Sequence, residues 1–72
     1  MAGSLAKDIL PRAQSALTAS PIFALQELRV DRVGESLLIS GSVSSFYHKQ
    51  LAQEVVRAVA EGIAVVNSIQ VP

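Results

Sequence analysis

The residues able to do chemistry are few and scattered. His48 is the single histidine, and the 72-residue chain contains no cysteine. A zinc site needs several nitrogen or sulfur ligands, and this sequence does not supply them. His48 reads instead as a polar residue beside an apolar stripe, or as a pH-sensitive group near a helix start. Serines are plentiful, but a nucleophile needs a base and an orienting acid. His48 and Glu54 share one predicted helix, and no spacing brings a distant serine to them. Asp8, Asp31 and Glu35 do not form a paired-carboxylate signature. Gly34 and Gly41 do not open a helix at the spacing of a phosphate loop. The expectation is a non-enzymatic chain with no cofactor and no metal.

Other positions carry structure or contact. Gly41 suits close packing, or a bulge, where a sheet meets the second helix. Asn67 falls on the inward phase of the last strand. A buried amide left without partners costs roughly 1–3 kcal/mol, so Asn67 is expected to tie that strand to a helix end or turn. The aromatic residues Phe23, Phe46 and Tyr47 fall in two short segments, with Ile22 and His48 as neighbours. Both segments adjoin helices. They either close the core or form an apolar edge for a lipid or a protein partner.

Bulk composition narrows the function classes. Six basic and six acidic residues cancel. A neutral chain lacks the footprint of a nucleic-acid binder and the polybasic attraction to anionic headgroups. A KH-type module would also need a GxxG loop, which is missing. No stretch approaches the roughly 18 apolar residues of a spanning helix, so no transmembrane segment is expected. Met1 to Leu10 does not resemble a signal peptide, which makes the cytoplasm the default compartment. Met1-Ala2-Gly3-Ser4 reads equally as native sequence or as a remnant. The apolar fraction of 50% suits a compact core, although a chain this short buries only about 60% of its unfolded surface.

The elements that position these residues follow from hydrophobic periodicity. Leu5 to Ala19 reads as a helix, with Leu5, Ile9, Ala13, Ala16 and Leu17 on one face. Pro11 costs roughly 3 kcal/mol in a helix interior, so the main helix is predicted to begin near Leu10 or Pro11 after a separate or kinked turn. Ser20-Pro21 ends it. Ile22 to Leu25 is an apolar connector. Glu27 to Val33 reads as a strand, with Leu28 and Val30 inward and Arg29 and Asp31 outward. Gly34-Glu35-Ser36 turns the chain into a second strand bearing Leu37, Ile39, Gly41 and Val43 on one phase.

A second helix follows, capped by Ser44 or Ser45. Its predicted buried stripe is Leu51, Ala52, Val55, Ala58 and Val59, and Gly62 is predicted to end it in a left-handed conformation. Ile63, Val65, Asn67, Ile69 and Val71 alternate along the last strand. Leu37 to Val71 is thus a βαβ unit, with a right-handed crossover expected. The fold class is α+β: an αββαβ two-layer sandwich, its three-stranded sheet carrying both helices on one face. The other face would hold Arg29, Asp31, Val33, Leu38, Ser40, Ser42, Val66, Ser68 and Gln70, mostly polar and free to face water. One domain spans 1–72, with a core of about 10–71.

Three stretches carry a family resemblance: Ile39-Ser-Gly41-Ser-Val43, the helix Leu51-Ala-Gln-Glu-Val-Val-Arg-Ala-Val59, and Val65-Val-Asn67-Ser-Ile69-Gln-Val71. Together they resemble the BON domain, first noted in bacterial osmotically inducible and nodulation proteins. Gly41, Val43, Gly62 and Asn67 match its motif positions. The resemblance covers about Leu25 to Val71. The stretch Ser45 to Gln53, with Ser20 to Leu25 upstream, looks like a planctomycete-type variant. The segment from Gly62 to Asn67 is one residue shorter than the family pattern, and the hairpin from Gly34 to Gly41 one longer.

The resemblance implies a non-catalytic module that binds phospholipid or another hydrophobic ligand, or attaches at the cell envelope. Its contact residues would be Ile22, Phe23, Phe46, Tyr47 and His48. The alternative is a protein-interaction or self-association module, a homo-oligomer included, using a strand edge or the open sheet face.

Overall fold

The computed structural model describes residues 5–72, with side chains from Ile9 onward. The remnant question at Met1 to Ser4, and the side chains of Leu5 and Asp8, lie outside the described residues. Helix α1 (Leu5–Thr18) is followed by a 3₁₀ turn (Phe23–Leu25), strands β1 (Arg29–Val33) and β2 (Ser36–Ser40), helix α2 (Phe46–Ala60) and strand β3 (Ala64–Asn67). The sheet order is β1-β2-β3. β1 and β2 pair antiparallel, with Val30 opposite Ile39, and β2 and β3 pair parallel, with Leu37 beside Val65. The fold is the αββαβ two-layer α+β sandwich that the periodicity predicts.

The core is aliphatic. Ile9, Ala13 and Leu17 bury one side of α1, and Leu25, Leu28, Val30, Leu37, Ile39, Val43 and Ile69 come from the connector and the sheet layer. Ala52, Val56 and Ala60 bury α2. The alanines at both helices' contact positions let two helices share a sheet only three strands wide, because close backbone approach needs small side chains. Burying each large aliphatic side chain is worth about 1.5–3 kcal/mol, which is the main stabilisation open to a chain without disulfides.

Several expectations need correction; strands β2 and β3 end at Ser40 and Asn67, short of Val43 and Val71. Helix α1 does not begin at Leu10 or Pro11 but runs from Leu5 through Pro11. The proline ring lies on the exposed side, so the hydrogen bond it removes faces water, while Ile9, Ala13 and Leu17 hold both halves of the helix to the core. The buried stripe of α2 is centred on Ala52, Val56 and Ala60; Ala58 is exposed, and Leu51, Val55 and Val59 pack at the rim. Spacing by four keeps Ala52, Val56 and Ala60 on one line facing the sheet. The left-handed residue that ends α2 is Glu61, at φ 52°, with Gly62 following at φ 91°. Strand β1 starts at Arg29 rather than Glu27, because Leu28 still belongs to the preceding turn and its N–H donates to the Leu25 carbonyl at 3.2 Å.

Glu61 is a non-glycine residue in a costly conformation. Its carboxylate meets the Arg12 guanidinium at 3.1 Å, joining the end of α2 to α1. The pair is solvent-exposed and worth at most about 1 kcal/mol.

Gly41 lies where β2 leaves the sheet, at φ 129°. A Cβ there would stand 2.7 Å from Leu28 Cδ2. The close approach is therefore to the entry of β1 and not, as the sequence suggested, to α2. Leu28 is buried in the core, so its side chain must shift within packed surroundings, and an alanine at φ 129° is strained in any case. Gly41→Ala is expected to destabilise by at least about 2 kcal/mol, from strain and overpacking together. Urea denaturation measures this; a loss below about 0.5 kcal/mol would contradict the packing described.

Candidate functional site

The connector between α1 and β1 is shaped by two polar side chains. Ser20 is buried, and its hydroxyl accepts from the Ile22 N–H at 3.0 Å. Gln26 reaches back and donates to the Ser20 carbonyl at 2.9 Å. This local bonding substitutes for regular structure and rolls Phe23–Leu25 into a 3₁₀ turn. Leu25 points into the core, Ile22 is half-buried against it, and Phe23 points out, 74% exposed.

The entrance to α2 is built in a comparable way. Ser45, not Ser44, caps the helix: its hydroxyl accepts from the His48 N–H at 3.2 Å. The cap sets the first turn so that Phe46 and Tyr47 face solvent, 73% and 69% exposed. Their apolar phase is displaced from the line of Ala52, Val56 and Ala60, so neither ring reaches the core. Of the two sequence alternatives for the aromatics, core closure is ruled out for all three rings.

The two segments meet at one end of the fold. An open hollow of about 250 Å³ lies there, with Phe23, Ala24 and Glu27 on one side and Ser42, Val43, Ser44 and Pro72 on the other. The hollow is mainly apolar and ends two residues before Phe46. The structure thus brings the Phe23 segment beside the loop that launches Phe46 and Tyr47.

His48 is half-buried on the first turn of α2. Its ring lies 5.6 Å from that of Tyr47, tilted by 51°. Its Nδ1 is buried without a hydrogen-bond partner among the described residues. No group of three or more His, Cys, Asp or Glu among the described residues is placed to hold a metal ion. No helix among them is long and apolar enough to cross a membrane.

Asn67 does what its inward phase predicts. Its Nδ2 donates to the Lys49 carbonyl at 2.9 Å and to Gln53 Oε1 at 3.1 Å, while its Oδ1 accepts from the Ile69 N–H at 3.2 Å. One amide joins the first turns of α2, strand β3 and the segment after it. Val43 is buried beside the same loop, and Gly62 follows the αL residue rather than occupying that position.

Sequence reasoning missed a second amide of this kind. Gln14 Nε2 donates to the Leu28 carbonyl at 2.9 Å and its Oε1 accepts from the Val30 N–H at 2.9 Å. The side chain thus plays the part of a neighbouring strand along the start of β1. Its only sequence signal is a polar residue beside Ala13 on the buried flank of α1.

Compared with protein-family models, curated proteins and solved structures, the chain gives no match. The class it defines on its own geometry is a two-layer αββαβ domain with an exposed aromatic end.

Asn67→Ala is expected to destabilise by about 1–3 kcal/mol, because it strands the Ile69 N–H and removes the tie from β3 to Lys49 and Gln53 of α2. Asn67→Asp should be at least as damaging at neutral pH, since a carboxylate then faces two oxygen acceptors. Denaturation midpoints test both, and an Asn67→Asp variant as stable as the parent would refute the bonding pattern.

Proposed function

We propose that this protein is a non-catalytic binding module that engages phospholipid or another hydrophobic ligand through its aromatic end, at a cell-envelope surface. The observation that carries the reading is the exposure of Phe23, Phe46 and Tyr47 in a chain whose core is complete without them. Rings held out in water by capped and hydrogen-bonded backbone add nothing to folding, and large exposed apolar groups beside an apolar hollow are the features of a contact surface. The resemblance to the BON domain points the same way, by analogy.

The mechanism is apolar insertion. Each phenylalanine ring is worth about 1.5–3 kcal/mol when fully withdrawn from water. Formal neutrality removes long-range attraction to anionic headgroups, so binding depends on the rings and only weakly on salt. Tyr47 suits the interface between apolar and wet layers, where its hydroxyl keeps a partner. Glu27 on the rim of the hollow disfavours an anionic headgroup at that point.

The alternative, a protein-interaction or self-association module, is favoured by a separate observation: strand β3 carries no charged residue and has an open edge.

Co-sedimentation with phosphatidylcholine vesicles tests the lipid reading. Phe46→Ser and Phe23→Ser should each lower vesicle binding several-fold, while stability stays within about 0.5 kcal/mol of the parent because both side chains are exposed. Equal binding by parent and variants, or no binding by the parent, would refute it.

A further inference from the structure

The sheet has two edges, and they are finished differently. Along β1 the outer backbone groups of Leu28 and Val30 are occupied by the Gln14 amide. The rest of that strand displays Arg29, Asp31 and Arg32, all exposed. Charged side chains of this kind protect an edge against further pairing. Along β3 the chain from Ala64 to Val71 has neither charge nor proline.

The free groups on β3 can be identified. The Ser68 N–H donates to the Ile39 carbonyl at 2.9 Å, and the Gln70 N–H to the Gly41 carbonyl at 2.9 Å. In a parallel ladder alternate residues face the neighbour, so Val65 and Asn67 turn their N–H and C=O groups away from β2. The flanking positions are already satisfied: the Ile63 N–H by the Ala60 carbonyl at 3.0 Å, and the Ile69 N–H by Asn67 Oδ1 at 3.2 Å. Among the described residues, Val65 and Asn67 alone offer an unpaired section of this edge between those two caps. Val66 lies between them on the helix-free face, 49% exposed, beside the half-buried Leu38.

We propose that this section pairs with the same section of a second copy, antiparallel about a two-fold axis through Val66. The reading deepens the self-association alternative and is independent of the lipid reading. Val65 and Asn67 of one copy exchange hydrogen bonds with Asn67 and Val65 of the other, giving four in all. Val66 then faces its own counterpart as a non-hydrogen-bonded pair, the closer type of contact. Leu38 and Val66 of both copies form one apolar row across the joined sheet.

A second copy is the occupant for two reasons. The chain is formally neutral and this edge is uncharged, so two copies meet without like-charge repulsion. The opposite edge is part-occupied by Gln14 and carries exposed charge at Arg29, Asp31 and Arg32, which disfavours head-to-tail pairing of β3 with β1 and favours a closed pair. With four backbone bonds and one apolar row, the dimer is weak and concentration-dependent.

The test uses the whole chain. Sedimentation velocity from micromolar to millimolar concentration should show the parent passing from monomer to dimer. Val66→Lys and Val66→Glu, both on a half-exposed position, should each raise the dimer dissociation constant at least tenfold, because like charges then stand opposite each other. An equimolar mixture of the two should recover dimer. Amide exchange should show Val65 and Asn67 gaining protection with concentration. Phe46→Ser should dimerise like the parent, and the result stands whether or not the parent binds vesicles. A parent that stays monomeric, a dimer indifferent to Val66→Lys, or a mixture that does not recover would overturn the proposal. Protection of Val65 and Asn67 only on adding an unrelated extended peptide would overturn it in favour of a different partner.

Discussion

Two side-chain amides hold the helix layer to the sheet at its two edges, and the rest of the architecture depends on them. Gln14 binds α1 to the start of β1, and Asn67 binds β3 to the first turns of α2. A three-stranded sheet is two-thirds edge, and its outer backbone groups need partners wherever water is excluded. In a larger domain further strands would serve. Here Gln14 supplies donor and acceptor together along β1, as a strand would, while Asn67 caps a single N–H, that of Ile69, and sends its donors to α2. Because each joins a helix to the sheet layer, they also fix the register between layers, which an aliphatic core alone specifies only loosely.

That arrangement releases the aromatic residues. The interior closes with leucine, isoleucine, valine and alanine, and the alanines of α1 and α2 allow the helices to settle on a narrow sheet. No ring is needed to fill space. Ser20, Gln26 and Ser45 then use ordinary turn and cap bonds to hold Phe23, Phe46 and Tyr47 outward at one end. The exposure of these rings is enforced by hydrogen-bonded backbone, and the hollow between the two segments follows from the same bonds.

The fold was legible because its signals are repetitive. Alternation through Leu37 and Ile39, helical spacing after Ser45 and the turn at Gly34 all agree on one topology, and agreement across levels is what a folding sequence provides. What escaped was decided by single contacts. Choosing between Val56 and Ala58 as the buried residue requires knowing the helix's rotation against the sheet. Pro11 looked like a start signal because its surroundings were unknown; on the exposed side its missing N–H is tolerated. Gly62 drew attention away from Glu61, whose left-handed backbone no propensity favours. Gln14 has no pattern of its own, since its partners lie 14 and 16 residues away. At the candidate site, their place beside helix ends grouped Phe23 with Phe46 and Tyr47 but could not say whether they face in or out. That depends on Ser20 and Ser45, whose bonds are legible only once the loops are built.

The central claim is that the aromatic end, and not the sheet, is the ligand-facing surface. Residue-resolved NMR during titration with phosphatidylcholine nanodiscs tests it most directly. Resonances of Ile22 to Leu25 and Ser42 to His48 should shift or broaden, while those of Arg29 to Val33 and Ala64 to Asn67 stay in place. An unchanged spectrum, or changes centred on the sheet, would contradict it.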